Sequence, residues 1–155
     1  MRNTTKKGKA HLLSTVGLFE RCTQRELAKI ASFTFEMERE AGTVLIQEGD
    51  WGEEFFIIVD GEAAVTVGGA ERPAMGPGSF FGELALLDGG PRTATVTLTT
   101  RTSLLVLTRR EFYDLLEATP RVALKMLPVL GERLRRAEGV AASLRSSRSD
   151  PSSGP

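Results

Sequence analysis

Apolar and polar positions divide the chain into three zones. In the first, Leu12, Val16 and Phe19 recur at i, i+4 and i+7, and Leu27, Ile30 and Ala31 at i, i+3 and i+4, the spacing of buried helix faces. Thr23-Gln24-Arg25-Glu26 reads as a capping box, in which the hydroxyl and the carboxylate each satisfy an orphan amide at a helix start. From Gly42 to Leu107 the period changes. Val44–Ile46, Phe55–Val59, Ala63–Val67, Ala94–Leu98 and Ser103–Leu107 are short runs rich in β-branched and aromatic residues. Turn residues bound most of them: Glu48-Gly49-Asp50, Asp60-Gly61, Gly68-Gly69, Gly76-Pro77-Gly78 and Asp88-Gly89-Gly90-Pro91. Many short strands at this spacing predict a mainly β fold with flanking helices, a double-stranded β-helix or jelly-roll barrel.

The third zone returns to helical spacing. Thr108-Arg109-Arg110-Glu111 is a second capping box, followed by Phe112, Leu115 and Leu116 on one face. Thr119-Pro120 restarts a helix with proline at its first position. Val122, Ala123, Met126, Leu127, Leu130 and Leu134 supply its apolar positions. Pro128 lies inside that pattern, where it lacks an N–H and crowds the carbonyl of Leu124, so a kink is expected there. The expected organisation is a flexible N-terminal segment over 1–15 and one domain over 16–138. That domain has N-terminal helices, a β-roll from about 42 to 107 and two C-terminal helices, and a Ser/Arg/Pro-rich disordered tail follows over 143–155.

Charge sharpens the picture. Twenty Lys+Arg balance twenty Asp+Glu, which argues against a chain held to nucleic acid or membrane by bulk charge. The balance is uneven along the chain: residues 36–90 carry twelve acids against two basic residues, Arg39 and Arg72. Between Pro73 and Thr100 the only basic residue is Arg92, a lone arginine in an acidic, glycine-rich segment. A single cysteine, Cys22, excludes an intrachain disulfide and suits a reducing compartment. No apolar run approaches the ~20 residues of a membrane span and no secretory leader is evident, so a cytoplasmic protein is expected. The one histidine, His11, makes a histidine metal site or a Ser-His-Asp triad hard to build, so no enzyme and no cofactor is expected.

Candidate chemistry gathers in Phe80 to Val96. Small residues after a strand, followed by a short helical turn at Glu83–Leu87, expose successive backbone amides to an anion. Arg92 adds a permanent charge and a planar fork suited to phosphate. Glu83, acceptor-only when ionised, repels phosphate but receives a hydroxyl. A ligand with an anionic group beside a sugar hydroxyl satisfies both, as a nucleotide monophosphate does.

The run Phe80-Phe81-Gly82-Glu83-Leu84-Ala85-Leu86-Leu87-Asp88-Gly89-Gly90-Pro91-Arg92-Thr93-Ala94-Thr95-Val96 resembles the phosphate-binding cassette of the cyclic nucleotide-binding domain family. Gly42 to Asp50 and Phe56 to Gly61 match upstream elements of that family in order and spacing, and the resemblance covers roughly Val16 to Glu138. It implies roles residue by residue. Glu83 accepts the ribose 2′-hydroxyl, with the Gly82 backbone nearby. Arg92 pairs with the exocyclic phosphate oxygens. The amides of Leu84, Ala85 and Thr93 complete the cradle, and Val96 with a residue of the last helix flanks the base. It also implies a sensor whose C-terminal helices report occupancy to an effector domain or to a protein in trans; the acidic β region and the lack of a reader helix argue against direct nucleic-acid contact. A hydroxyl directly after the cassette arginine accompanies cyclic GMP in some relatives; the reading here leans to cyclic AMP.

Blander readings stand beside these. Arg92 pairs with Asp88 as a surface arginine, or Glu83 merely caps a turn. Trp51 is taken as a packed loop aromatic, Cys22 and His11 as inert, and Arg133, Arg135 and Arg136 as a solvated helix face in preference to one of them reaching the base or acting in signalling. The alternative function is a jelly-roll interaction domain that binds no nucleotide. A cupin-like metalloenzyme is disfavoured because the β region contains no histidine.

Overall fold

The computed structural model describes residues 4–149. Helix α1 (Lys6–Ser14) is capped by the Thr5 hydroxyl, which accepts from the Gly8 amide at 3.0 Å. This helix lies within the segment 1–15 expected to be flexible, of which residues 1–3 fall outside the described residues. Lys6 and Lys7 face solvent while Ala10 and Leu13 enter the core, a stripe too short to read among so many charges. The helix stops at Ser14, and a 3₁₀ turn over Gly17–Phe19 breaks the apparent Leu12–Val16–Phe19 repeat. Helix α2 (Gln24–Ala31) follows with both halves of its capping box formed. Thr23 Oγ1 accepts from the Glu26 amide at 3.2 Å, and Glu26 Oε1 accepts from the Thr23 amide at 2.7 Å.

Eight strands then make two antiparallel four-stranded sheets: β1 (Phe35–Arg39), β2 (Val44–Ile46), β3 (Glu54–Asp60), β4 (Ala63–Val67), β5 (Ala70–Met75), β6 (Phe80–Phe81), β7 (Thr95–Leu98) and β8 (Thr102–Thr108). One sheet runs β1-β8-β3-β6 and the other β2-β7-β4-β5. This is the expected mainly β architecture, but the sheets do not close into a barrel and the strands begin at Phe35 rather than near 42.

Strands β3 and β8 are apolar on both faces because both faces are covered. Phe56, Ile58, Leu104 and Val106 meet Ile46, Val65, Val96 and Leu98 between the sheets. With period-two alternation, Phe55, Ile57, Leu105 and Leu107 point the other way, into a second cluster with Leu13, Phe19, Ile30, Phe112 and Met126 from the helices. One sheet is thus sandwiched between its partner sheet and the helical layer.

Between β6 and β7 lies the short helix α3 (Glu83–Asp88), and after β8 come α4 (Arg109–Ala118) and α5 (Pro120–Ser149). Thr108 Oγ1 caps α4 by accepting from the Glu111 amide at 3.1 Å. Helix α5 runs unbroken through Pro128, the position of the expected kink. It also continues through residues 143–149, the start of the expected disordered tail; the rest of that tail lies outside the described residues. Only one stripe of its first half is buried (Val122, Met126, Val129), whereas Leu127 and Leu134 are exposed. The predicted apolar set therefore mixes two faces of one helix.

Candidate functional site

A cleft of about 450 Å³ opens between the β2-β7-β4-β5 sheet and α3. Every site residue expected from the sequence lines it: Gly82, Glu83, Leu84, Ala85, Arg92, Thr93 and Val96. Ile46, Val65, Met75 and Phe81 supply apolar wall. A few polar groups, Glu83, Asp88, Arg92 and Thr93, stand among this apolar lining, which suits a ligand with a charged group and a flat body.

Arg92 is fixed from the main chain outward. Its amide donates to Asp50 O at 2.7 Å, and its carbonyl accepts from the Gly49 amide at 2.8 Å. Trp51 and Pro91 form a bridge beside them. The turn Glu48-Gly49-Asp50 thus serves as the clamp that sets this backbone. Trp51 itself is 77% exposed, so it is not the packed loop aromatic expected.

The Arg92 guanidinium then lies between two glycines. An ideal Cβ on Gly52 would sit 1.9 Å from its Nε, and one on Gly82 would sit 2.7 Å from its Nη1. Gly82 also has φ +86°, a left-handed conformation that side chains resist. Nη1 donates to Glu54 O at 2.8 Å, and the group stands 6.0 Å from the Phe56 ring centroid. Burial pushes the Arg92 pKa down, and the charge of Glu54 pulls it partly back. Among the described residues none of the ion pairs includes Arg92, so it does not take the surface pairing with Asp88. The Asp88 carboxylate instead accepts from the Gly90 amide at 2.8 Å.

Glu83 opens α3 and does more than cap a turn. Its Oε1 accepts from Arg133 Nη1 at 3.0 Å, a contact that joins α3 to α5 across fifty residues of sequence. Its Oε2 is buried and has no hydrogen-bond partner. Arg133 is therefore not part of a solvated face, and nothing local in the sequence marks it. The amide of Ala85 donates to Gly82 O at 3.1 Å. At the far end of α3, Tyr113 Oη donates to Leu87 O at 2.9 Å, a tie to α4 that sequence reasoning also missed.

Cys22 and His11 lie apart from the cleft lining. Burial and the charge of Glu26 push the Cys22 thiol up to about 11, with Lys125 opposing, so it stays protonated near neutrality. Among the described residues no group of His, Cys, Asp and Glu could hold a metal ion, and no helix is long and apolar enough to cross a membrane.

Comparison with known proteins converges on the same region. The family model described as cyclic nucleotide-binding domain matches residues 36–119, more than half of the chain. A cyclic nucleotide-gated potassium channel of Rhizobium etli is 37% identical over 113 residues, 72% of this chain and 31% of the channel. The chain thus spans about a third of that relative's length. The N-terminal domain of a transcriptional regulator from Streptomyces coelicolor superposes with a TM-score of 0.76 at 28% identity, covering 84% of this chain and 94% of that domain. The regulatory domain of Toxoplasma gondii PKA, crystallised with cAMP, gives 0.63 at 35% identity, over 74% of this chain and 46% of that one.

Proposed function

The chain belongs to the cyclic nucleotide-binding domain family, and on that premise we propose that it is a sensor that binds cyclic AMP in preference to cyclic GMP and leaves the ligand unchanged. The observation that carries this reading is the pairing, in one cleft, of a partly desolvated arginine, outside any ion pair among the described residues, with a carboxylate whose second oxygen is buried and unsatisfied. A partly desolvated guanidinium outside a contact ion pair gains from an incoming anion. A buried acceptor gains from an incoming hydroxyl. A cyclic nucleotide brings both groups on one rigid sugar.

In this reading Arg92 takes the exocyclic phosphate oxygens with the N–H groups that Glu54 O leaves free. Glu83 Oε2 accepts the ribose 2′-hydroxyl beside the Gly82 backbone. The amides of Leu84 and Thr93, together with that of Ala85 once it releases Gly82 O, complete the phosphate cradle. Val96 packs against the base. The preference for cyclic AMP rests on likeness to the Toxoplasma regulatory domain, whose ligand is cAMP; Thr93 is the residue whose hydroxyl would favour a guanine.

Occupancy passes to α4 and α5, since α3 is tied to both, through Tyr113–Leu87 and through Arg133–Glu83. What the helices then act on is an effector domain or a separate protein. Calorimetric titration with cyclic AMP and cyclic GMP side by side tests the reading. Cyclic AMP should bind with a Kd of about 1 μM or below and more tightly than cyclic GMP. Absence of binding by either nucleotide refutes the sensor, and tighter cyclic GMP binding refutes the preference.

A further inference from the structure

The charged side chains that line the cleft are Glu83, Asp88 and Arg92. The charge of Glu83 is met by Arg133 at 3.0 Å. Asp88, the last residue of α3, enters no ion pair among the described residues. Arginines stand on either side of the turn that follows it, and neither takes it. Arg92 donates to Glu54 O instead. Arg109, whose Nη1 would lie 3.4 Å from a Cβ on Gly89, stands over the Tyr113 ring, 5.0 Å from its centroid. Asp88 Oδ1 accepts from the Gly90 amide at 2.8 Å, a neutral donor that shapes the turn and leaves the charge in place.

Counting charges shows what this arrangement does to a ligand. With Glu83 balanced by Arg133, the cleft holds one positive charge on Arg92 and one negative charge on Asp88. A cyclic phosphodiester carries a single negative charge, which Arg92 matches. A phosphomonoester carries close to two above its second pKa of about 6, and the lining holds no second cation for the other. Coulomb energy scales with the product of the charges, so Asp88 opposes the monoester about twice as strongly as the diester. The distinction has a chemical use. Adding water across a P–O bond of the ring turns a cyclic nucleotide into a monoester with the same base and sugar. The two differ little in apolar surface, and charge is what a cleft can read between them.

Resting on the cyclic-nucleotide reading above, we propose that Asp88 is a specificity-determining residue: its carboxylate, left outside any ion pair in the cleft wall, penalises doubly charged phosphomonoesters and so keeps the ring-opened nucleotide out of the site. Asp88 acts through space and does not touch the ligand. Its part in the turn needs only an acceptor for the Gly90 amide, which asparagine also supplies. Charge and turn can therefore be separated by substitution.

Competition binding in the full chain, at about pH 8 where the monoester is doubly charged and at low ionic strength, tests this. The ligands are cyclic AMP, 5′-AMP and the 5′-methyl ester of AMP, an open-ring diester with one charge. Wild type, Asp88→Asn and Asp88→Glu are compared, after thermal melts confirm that each is folded. Asp88→Asn should bind cyclic AMP and the methyl ester about threefold more tightly and 5′-AMP about tenfold more tightly, the square of that factor, as two ligand charges require. Asp88→Glu, which keeps the charge, should keep the wild-type ratio between the ligands. An equal gain for all three ligands, 5′-AMP that competes no better with Asp88→Asn than with wild type, or an Asp88→Glu variant that behaves as Asp88→Asn does, overturns the proposal and leaves the cyclic-nucleotide reading standing. A wild-type chain that binds no cyclic nucleotide overturns both.

Discussion

Arg92, in the cleft, and Arg101, between β7 and β8, meet opposite electrostatic circumstances. Arg101 is two-thirds exposed and spans two carboxylates, with Nη2 2.8 Å from Glu38 Oε2 and Nε 3.9 Å from Glu40 Oε1. Its hydrogen bond to Glu38, reinforced by the charges of both acids, raises its pKa. Arg92 is drawn inward, its pKa is pushed down by burial, and it donates to a backbone carbonyl instead of a carboxylate. The acidic stretch around it supplies Asp88 and Glu83 besides Glu54, yet Asp88 accepts from the Gly90 amide and Glu83, through Oε1, from Arg133. The difference teaches how a fold keeps a positive charge available. Asp88 and Glu83 are given other partners, and the guanidinium is held by its own main chain, by the Glu54 carbonyl and between two glycines.

Removing the charge of each arginine should therefore have unlike effects. Arg92→Ala should weaken cyclic nucleotide binding by roughly 2–5 kcal/mol, the cost of truncating one partner of a desolvated charge pair. Arg92→Lys should also be impaired, since the charge survives but the planar fork does not. Arg101→Gln should leave the affinity unchanged. Calorimetry on the three variants decides the matter, and unchanged affinity in both Arg92 variants would remove the phosphate role assigned to it.

A subtler break leaves every charge in place. Gly52→Ala inserts a methyl 1.9 Å from Arg92 Nε, so the guanidinium must move or the clamp turn must open. Overpacking of this kind costs roughly 1–3 kcal/mol, and the loss should be read in ligand affinity more than in melting temperature. Equal affinity to wild type would mean that the position of Arg92 between the glycines is not needed. That outcome would reduce the comparison with Arg101 to charge alone.

The two arginines also mark what the sequence could reveal. The cassette was legible because its parts are contiguous: Gly82, Glu83, Leu84, Ala85, Arg92, Thr93 and Val96 fall within one loop-helix-strand passage and line one cleft. Strands β3 and β8 were legible because burial on both faces leaves an uninterrupted apolar run. Strands β1 and β5 were not, since Glu-Met-Glu and Glu-Arg-Pro are poor strand sequences. They exist by register with partners: Phe35–Arg39 against Thr102–Val106, and Ala70–Met75 against Ala63–Val67. The same limit hid Gly52 and the Glu54 carbonyl, and left Arg133 undistinguished from Arg135 and Arg136 on the last helix. Each meets the site only in three dimensions, and a carbonyl carries no residue signature at all. Helix α1 was missed for another reason: Ala10 and Leu13 are its only buried residues amid lysines.

The smallest expected effect lies at Arg101 and is one of pH. The hydrogen bond from Arg101 holds the Glu38 carboxyl below its ordinary range, and Ser103 Oγ adds a second donor at 3.3 Å. A carboxylate whose folded pKa is depressed releases its proton more readily when folded. Its stabilising contribution is present above the unfolded value of about 4.3 and is lost as pH falls through the lower folded value. Arg101→Gln should therefore lower stability slightly near neutrality and flatten the acid limb of the stability profile. Because the pair is solvent-exposed, high salt should shrink the gap between variant and wild type. Denaturant unfolding from about pH 7 down to about pH 3, repeated at low and high ionic strength, measures this. Identical acid limbs would show that Glu38 gains nothing from Arg101, and the contrast drawn above would then rest on Arg92 alone.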